Sequence, residues 1–339
     1  MNYQSSGSAH PHASGPHGGH PHTHGAIDPR ITTSARGIWA LKWSLVMLAL
    51  TAVMQVVVVY FSGSIALLAD TIHNFGDAAT AIPLWIAFSF ATRKPSKRFT
   101  YGYGRVEDLA GAAIVLMILL SAVLAGYESV VRLLHPTVVR NIGAVAAAAI
   151  IGFAGNEVVA ILRIRVGKEI GSAALVADGY HARVDGLTSL AVLASAVGVW
   201  LGFPLADPLV GLVITVAILK IVWDSAKLVF ARLLDGVDPE VVDEIAHAAR
   251  HVGAVTDVSD VRVRWLGHRM HAEVNLSVDD KLSIAEAHRV AVEARHEILH
   301  QIPYLSNAVV HVDPNQASGE HNHSIGLHTH DGLGAHSHE

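Results

Sequence analysis

The sequence predicts a membrane protein in two parts. An all-α bundle of six spans comes first, then a small α+β cytoplasmic domain of αββαβ, ferredoxin-like order. Three observations carry this. Of the 339 residues, 51% are hydrophobic and 16% charged, too apolar a balance for an ordinary soluble chain. Six apolar segments, at 38–60, 64–91, 107–134, 141–163, 172–200 and 206–231, each approach the ~20 residues that cross a ~30 Å hydrocarbon core. After Leu234 the pattern changes to short amphipathic helices and alternating strands.

Taken in order, residues 1–36 are a Gly, Ser, Pro and His tail with His10, His12, His17, His20, His22 and His24. Such a composition buries no core and is expected to be disordered, with a loose affinity for zinc-like ions. Residues 37–234 hold the spans. The linker after span two carries Arg93, Lys94, Lys97, Arg98 and Arg105, and that after span four Arg163, Arg165 and Lys168. On the other side, the short first and third loops hold no Lys or Arg, and only Arg132 and Arg140 flank the middle one. The positive-inside rule then puts both termini in the cytoplasm. No signal peptide precedes the spans, and with no organelle signal the expectation is a bacterial inner membrane.

In residues 235–315, Asp238-Pro239 opens a helix, with Pro at its first position. Strands follow near 258–265 and 270–278 around Gly267. Ser283 with Glu286 forms a capping box for a helix to about Gln301, whose buried stripe reads Ile284, Ala287, Ala291, Ala294 and Ile298. A strand over 308–312 ends at Asp313-Pro314. Residues 316–339 read as a second disordered, His-rich tail, with His321, His323, His328, His330, His336 and His338. The net charge of −5 comes with no basic face for nucleic acid, and the absence of cysteine excludes disulfides and thiolate ligands.

One stretch occurs twice. Residues 63–80 and 171–188 align without a gap, with Asp70/Asp178, His73/His181 and Asp77/Asp185 in register. Positions i, i+3 and i+7 share one helix face. Four carboxylates facing lipid would cost about 10 kcal/mol on insertion scales, so they must face protein, water or a cation. Two His-x-x-x-Asp pairs supply two imidazoles and two carboxylates, a tetrahedral set for a divalent metal. Asp70 and Asp178, one turn before each His, are candidates to support that set or line its approach; packing between helices explains them equally well. Asn156 and Glu157, deeper in span four, line a water path or hydrogen-bond between helices.

The charge of −2 suits a divalent cation. Magnesium and calcium prefer all-oxygen shells, and copper(I) would want Met or Cys. Zn2+ is favoured, with Co2+, Fe2+, Ni2+ and Cd2+ as competitors. Because imidazole titrates near neutral pH, protons compete with metal for the same groups. In the cytoplasmic domain His288, His311 and Asp313 are a candidate second metal site, with His268, His271 and Glu273 weaker ones near the strand turn. The stretch His296-Glu-Ile-Leu-His300 fits the zinc-peptidase pattern, but both His fall opposite the buried stripe, and no enzyme is expected.

Six spans, the paired His73-x-x-x-Asp77 and His181-x-x-x-Asp185, and the terminal αββαβ domain together resemble the cation diffusion facilitator family, over about residues 37–314. The stretch from Phe99 through Tyr101-Gly-Tyr103-Gly to Glu107 also resembles that family's loop after span two. The resemblance implies metal efflux from the cytoplasm in exchange for protons, by a homodimer joined partly through the terminal domains, with His73, Asp77, His181 and Asp185 as the transport site. Where some members carry metal-binding His in the loop, this chain has Phe99 and Tyr103. Where some carry a two-metal cluster in the terminal domain, Ser259 and Asn275 replace further His. A membrane metal sensor that binds without translocating is the competing expectation.

Overall fold

A computed structural model describes residues 29–62, 81–134, 142–203, 205–319, 325–328 and 336–338. The bundle helices are α1 (Pro29–Ser62), α2 (Ala81–Ala91), α3 (Arg105–Leu134), α4 (Ile142–Ile170), α5 (Ala173–Trp200) and α6 (Ala206–Leu233). The cytoplasmic domain follows as α7 (Pro239–Arg250), β1 (Val255–Leu266), β2 (Arg269–Val278), α8 (Ile284–Gln301) and β3 (Leu305–Pro314).

Among the described residues, four helices are long and apolar enough to cross a membrane: Thr33–Val58, Arg105–Val131, Gly143–Ile170 and Leu209–Leu233. α2 has 11 residues, and the rest of the expected second span, 64–80, lies outside the described residues. α5 is as long as the others but carries Asp178, Arg183 and Asp185. The bundle is arranged for an apolar solvent. Leu116, Leu124, Val213 and Val216 are exposed on its outside, while Leu84, Phe88, Ile114, Ile118, Leu175 and Ile218 fill the inside. Tyr60, Phe61, Trp200 and Phe203 are exposed at the far ends of α1 and α5, where a membrane interface favours amphipathic rings.

α4 and α5 form a tight hairpin. Gly171 takes φ +72°, the left-handed conformation that ends a helix at low cost, and the Ser172 hydroxyl then accepts from the Leu175 N–H to cap α5. Close approach needs small residues: a Cβ on Gly179 would lie 2.9 Å from the Ile164 nitrogen, and one on Gly167 2.9 Å from the Val176 nitrogen.

In the cytoplasmic domain the sheet order is β1-β2-β3, antiparallel between β1 and β2 and parallel between β2 and β3. Alternate residues Met270, Ala272, Val274 and Leu276 of β2 meet Ile245 of α7 and Ala294 and Ile298 of α8 in one aliphatic core. Asp238 caps α7 with Pro239 at its first position. The capping box of α8 is present as expected, and both the backbone N–H and hydroxyl of Ser283 donate to Glu286, holding its carboxyl below the usual glutamate range.

Several readings need correction. α1 begins at Pro29, inside the stretch read as tail, because Pro29 suits a first helical turn; the rest of that tail, 1–28, lies outside the described residues. Arg163, Arg165 and Lys168 do not stand in a linker: α4 runs to Ile170, and only the two-residue turn Gly171-Ser172 separates it from α5. The α8 stripe is Ala287, Val290, Ala294 and Ile298; Ile284, on the first turn past the cap, is 91% exposed. The C-terminal segment read as disordered contains a short ladder of Ile325–His328 with His336–His338. Alternation of Ile325 and Leu327 with Gly326 and His328 gives that ladder its period of two.

Candidate metal centre

The second copy of the repeat lies on the inward face of α5. Asp178, His181 and Asp185 are 0%, 2% and 8% exposed. The tight turn at Gly171 and the glycine contacts with α4 hold this face against the bundle interior rather than lipid. His181 Nδ1 stands 4.0 Å from Asp185 Oδ1. That is longer than a hydrogen bond, and a closure of roughly 0.6 Å would bring the two atoms to the about 3.4 Å that separates two donors about 2.1 Å from one tetrahedral cation. A cavity of about 490 Å³ between the bundle and the cytoplasmic domain reaches α5 at Val176 and Tyr180, within about one turn of Asp178 and His181.

Asp178 pairs between helices, one of the two readings its position allowed. Arg163, on α4, places Nη1 3.0 Å from Asp178 Oδ2, with both side chains buried. Arg163 Nε and Nη2 and Asp178 Oδ1 are buried with no hydrogen-bond partner among the described residues. A neighbouring guanidinium offsets the Asp178 charge, so of the three repeat groups on this helix Asp178 is the one ion-paired between helices. Sequence reasoning missed Arg163 by counting it as a loop cation. The available signal was that it closes an apolar run only fifteen residues before Asp178.

Glu157 is likewise paired between helices. Arg183 Nη2 and Nε donate to its two carboxylate oxygens at 2.6 and 3.2 Å, a bidentate clamp between α4 and α5. Asn156, one residue earlier, is buried where α4 meets Gly186. Asp70, His73 and Asp77 lie outside the described residues, so α5 contributes the described half of the expected set.

In the cytoplasmic domain His311 Nε2 meets Asp313 Oδ1 at 2.9 Å, but His288 is exposed on α8. No group of three or more His, Asp or Glu side chains poised for a metal ion occurs among the described residues, so the three-residue site expected there is not assembled within one chain. His288 fails to join because it lies on the solvent face, away from the Val290–Ala294–Ile298 stripe. Near the strand turn, Glu273 is paired with Arg264 at 3.1 Å. His271 packs its ring on Tyr101 at 6.3 Å. His268 is buried against Glu107 at 2.6 Å. These three therefore do not converge. His296 and His300 are exposed, and Glu297 accepts from Gln301.

Residues 41–234 match a family model described as the cation efflux transmembrane domain, and residues 237–315 one described as the cation efflux protein cytoplasmic domain. A "Probable cation efflux system protein" of Mycobacterium tuberculosis is 54% identical over 308 residues, 90% of this chain and 92% of the relative. A Bacillus subtilis protein named as a manganese efflux system is 26% identical over 74% of this chain and 86% of its own length. A Bacillus velezensis protein named as a cadmium, cobalt and zinc/H(+)-K(+) antiporter is 25% identical over 90% and 94%. With both domains matched in order, and a buried His-x-x-x-Asp pair on the fifth bundle helix, this chain belongs to the cation diffusion facilitator family: it is a multi-pass membrane transporter for divalent cation efflux, not an enzyme, and its dimerisation-type domain is cytoplasmic.

Proposed function

We propose that the chain exports zinc from the cytoplasm in exchange for protons, through a site made of His73, Asp77, His181 and Asp185. The observation that carries this reading is the buried His181–Asp185 pair at 4.0 Å on α5. The in-register repeat supplies the second pair from 63–80. Two imidazoles and two carboxylates match zinc's preferred donors at its preferred number. The relatives point in two directions, one named for manganese and one for cadmium, cobalt and zinc. Manganese favours oxygen donors, so the two imidazoles weigh towards zinc. Protons compete for His73 and His181, and a protonated site is less negative and releases a cation. Translocation then needs only alternating exposure of one site to the two sides, in each protomer of a homodimer.

The test is purified protein in liposomes holding a metal-reporting dye, with an imposed pH gradient. Zinc, cobalt, iron(II) and manganese are compared for the wild type and Asp185→Ala. Gradient-driven zinc flux that the variant loses by 100-fold or more is the expected result. Zinc binding without flux would instead make the protein a sensor. Flux of manganese alone would overturn the choice of ion.

A further inference from the structure

We propose that the β1–β2 turn of the cytoplasmic domain is a docking latch on its own protomer's bundle, with Glu107 and His268 as positioning residues for transport. The turn is two residues long, Gly267 and His268, between Leu266 and Arg269. Gly267 adopts φ +66°, and a Cβ there would lie 2.8 Å from the Gly104 carbonyl oxygen and 2.9 Å from Glu107 Oε2. From the other side, a Cβ on Gly104 would lie 2.5 Å from the Leu266 carbonyl oxygen. The two domains meet backbone to backbone, and glycine on both sides makes this possible.

Polar groups then lock the contact. The Gly267 N–H donates to Asp108 Oδ2 at 3.1 Å, and His268 Nδ1 meets Glu107 Oε2 at 2.6 Å. His268 Nε2 reaches Thr33 Oγ1 of α1 at 2.9 Å, and Phe88 of α2 packs beside the ring. Arg269 donates to the same Thr33 hydroxyl. Glu107, Asp108 and His268 are 1%, 4% and 3% exposed. Acidic and imidazole groups buried this deeply are stable only with partners, and these partners lie 159 to 161 residues away in the other domain. One turn thereby touches α1, α2 and α3 together.

The latch leads towards the transport site through one helix. Glu107 and Asp108 sit in the first turn of α3, and the same helix packs Gly111 against Ala174 of α5 and Gly126 against Thr215 of α6. A displacement of the cytoplasmic domain therefore moves α3 against the helix that carries His181 and Asp185. The latch rests on the cation efflux activity of that site and not on which metal is carried.

The experiment uses the full chain with two readings. Hydrogen exchange over 264–270, taken with no metal added, reports docking. Zinc flux in liposomes reports turnover. Glu107→Ala, His268→Ala and Gly267→Ala are expected to speed exchange over 264–270 at least tenfold, while β2 residues 272–276 keep their protection. Maximal flux should fall at least fivefold with the half-saturating zinc concentration within twofold of wild type. His268→Gln, which can keep one hydrogen bond, should recover at least half of the lost flux. Unchanged exchange would overturn the latch, whatever the flux. So would faster exchange with wild-type flux, or a fall in flux matched by lost protection of 272–276. Failure of the wild type to move zinc would count against the proposed ion, and the exchange reading would still decide the docking.

Discussion

The bundle and the cytoplasmic domain both have apolar cores, but they differ in what else is buried and in what faces outward. Inside the bundle lie Arg163, Asp178, Asp185 and His181, and its outside is Leu, Val and Trp. Inside the cytoplasmic domain lie Ile245, Leu276 and Ile298, and charges such as Asp257 and Glu273 face water, the buried Asp313 being paired with His311. The difference follows from solvent. In lipid, exposure of apolar side chains costs nothing, so the interior is free for groups that bind and pair. In water the apolar core is itself the driving force, and polar atoms are kept out of it unless partnered.

Three experiments probe this contrast, in falling order of effect. Arg163→Leu leaves Asp178 charged and buried without its partner, which is expected to destabilise the bundle by about 3–5 kcal/mol. Arg163→Leu with Asp178→Leu should restore most of that loss, as read by thermal unfolding in detergent. No restoration would mean that Arg163 acts through something other than Asp178. In the cytoplasmic domain, Leu276→Ala empties a site that is fully buried in an aliphatic core. It should cost about 2–4 kcal/mol in chemical denaturation, with no partner change able to rescue it. Ser283→Ala removes the cap of α8 for about 1 kcal/mol. This last effect has a pH signature. Glu286's folded pKa is lowered by its hydrogen bonds with Ser283, so its contribution is complete above the ordinary glutamate pKa. It is lost as pH falls through the lower folded value. Ser283→Ala keeps the backbone N–H bond to that carboxylate and loses the hydroxyl's, so the gap between wild type and variant should narrow in acid, and a gap that widens there would refute the assignment.

What was legible in the sequence was what is local. The cap at Asp238-Pro239, the Ser283–Glu286 box and the alternation of β2 all depend on residues a few positions apart, and all stand as expected. The in-register repeat told that Asp178, His181 and Asp185 share an inward face, since spacing alone fixes a helix face. The misreadings concern partners distant in sequence. Arg163 reads as a loop cation until α5 folds back and brings Asp178 to it. His268 reads as a free ligand until Glu107, from a span 161 residues earlier, closes on it. Ile284 reads as core by period, yet the first turn of a capped helix projects past the sheet it would cover. Apart from the placing of Arg163 at the end of an apolar run, one dimension records little of this, because each fact is a property of two elements meeting.

The parallel pairing of β2 with β3 bears on how the chain is made. β1 and β2 form a hairpin across two residues and can close within microseconds, whereas β3 returns to β2 only after the whole of α8 has crossed. Until residues 305–314 have left the ribosome, the β2 edge that carries Leu276 has no partner strand. Completion of this sheet is thus a slow, non-local closure that waits on β3. A chain cut short before Leu305 would hold a finished bundle tethered to an open, aggregation-prone sheet edge.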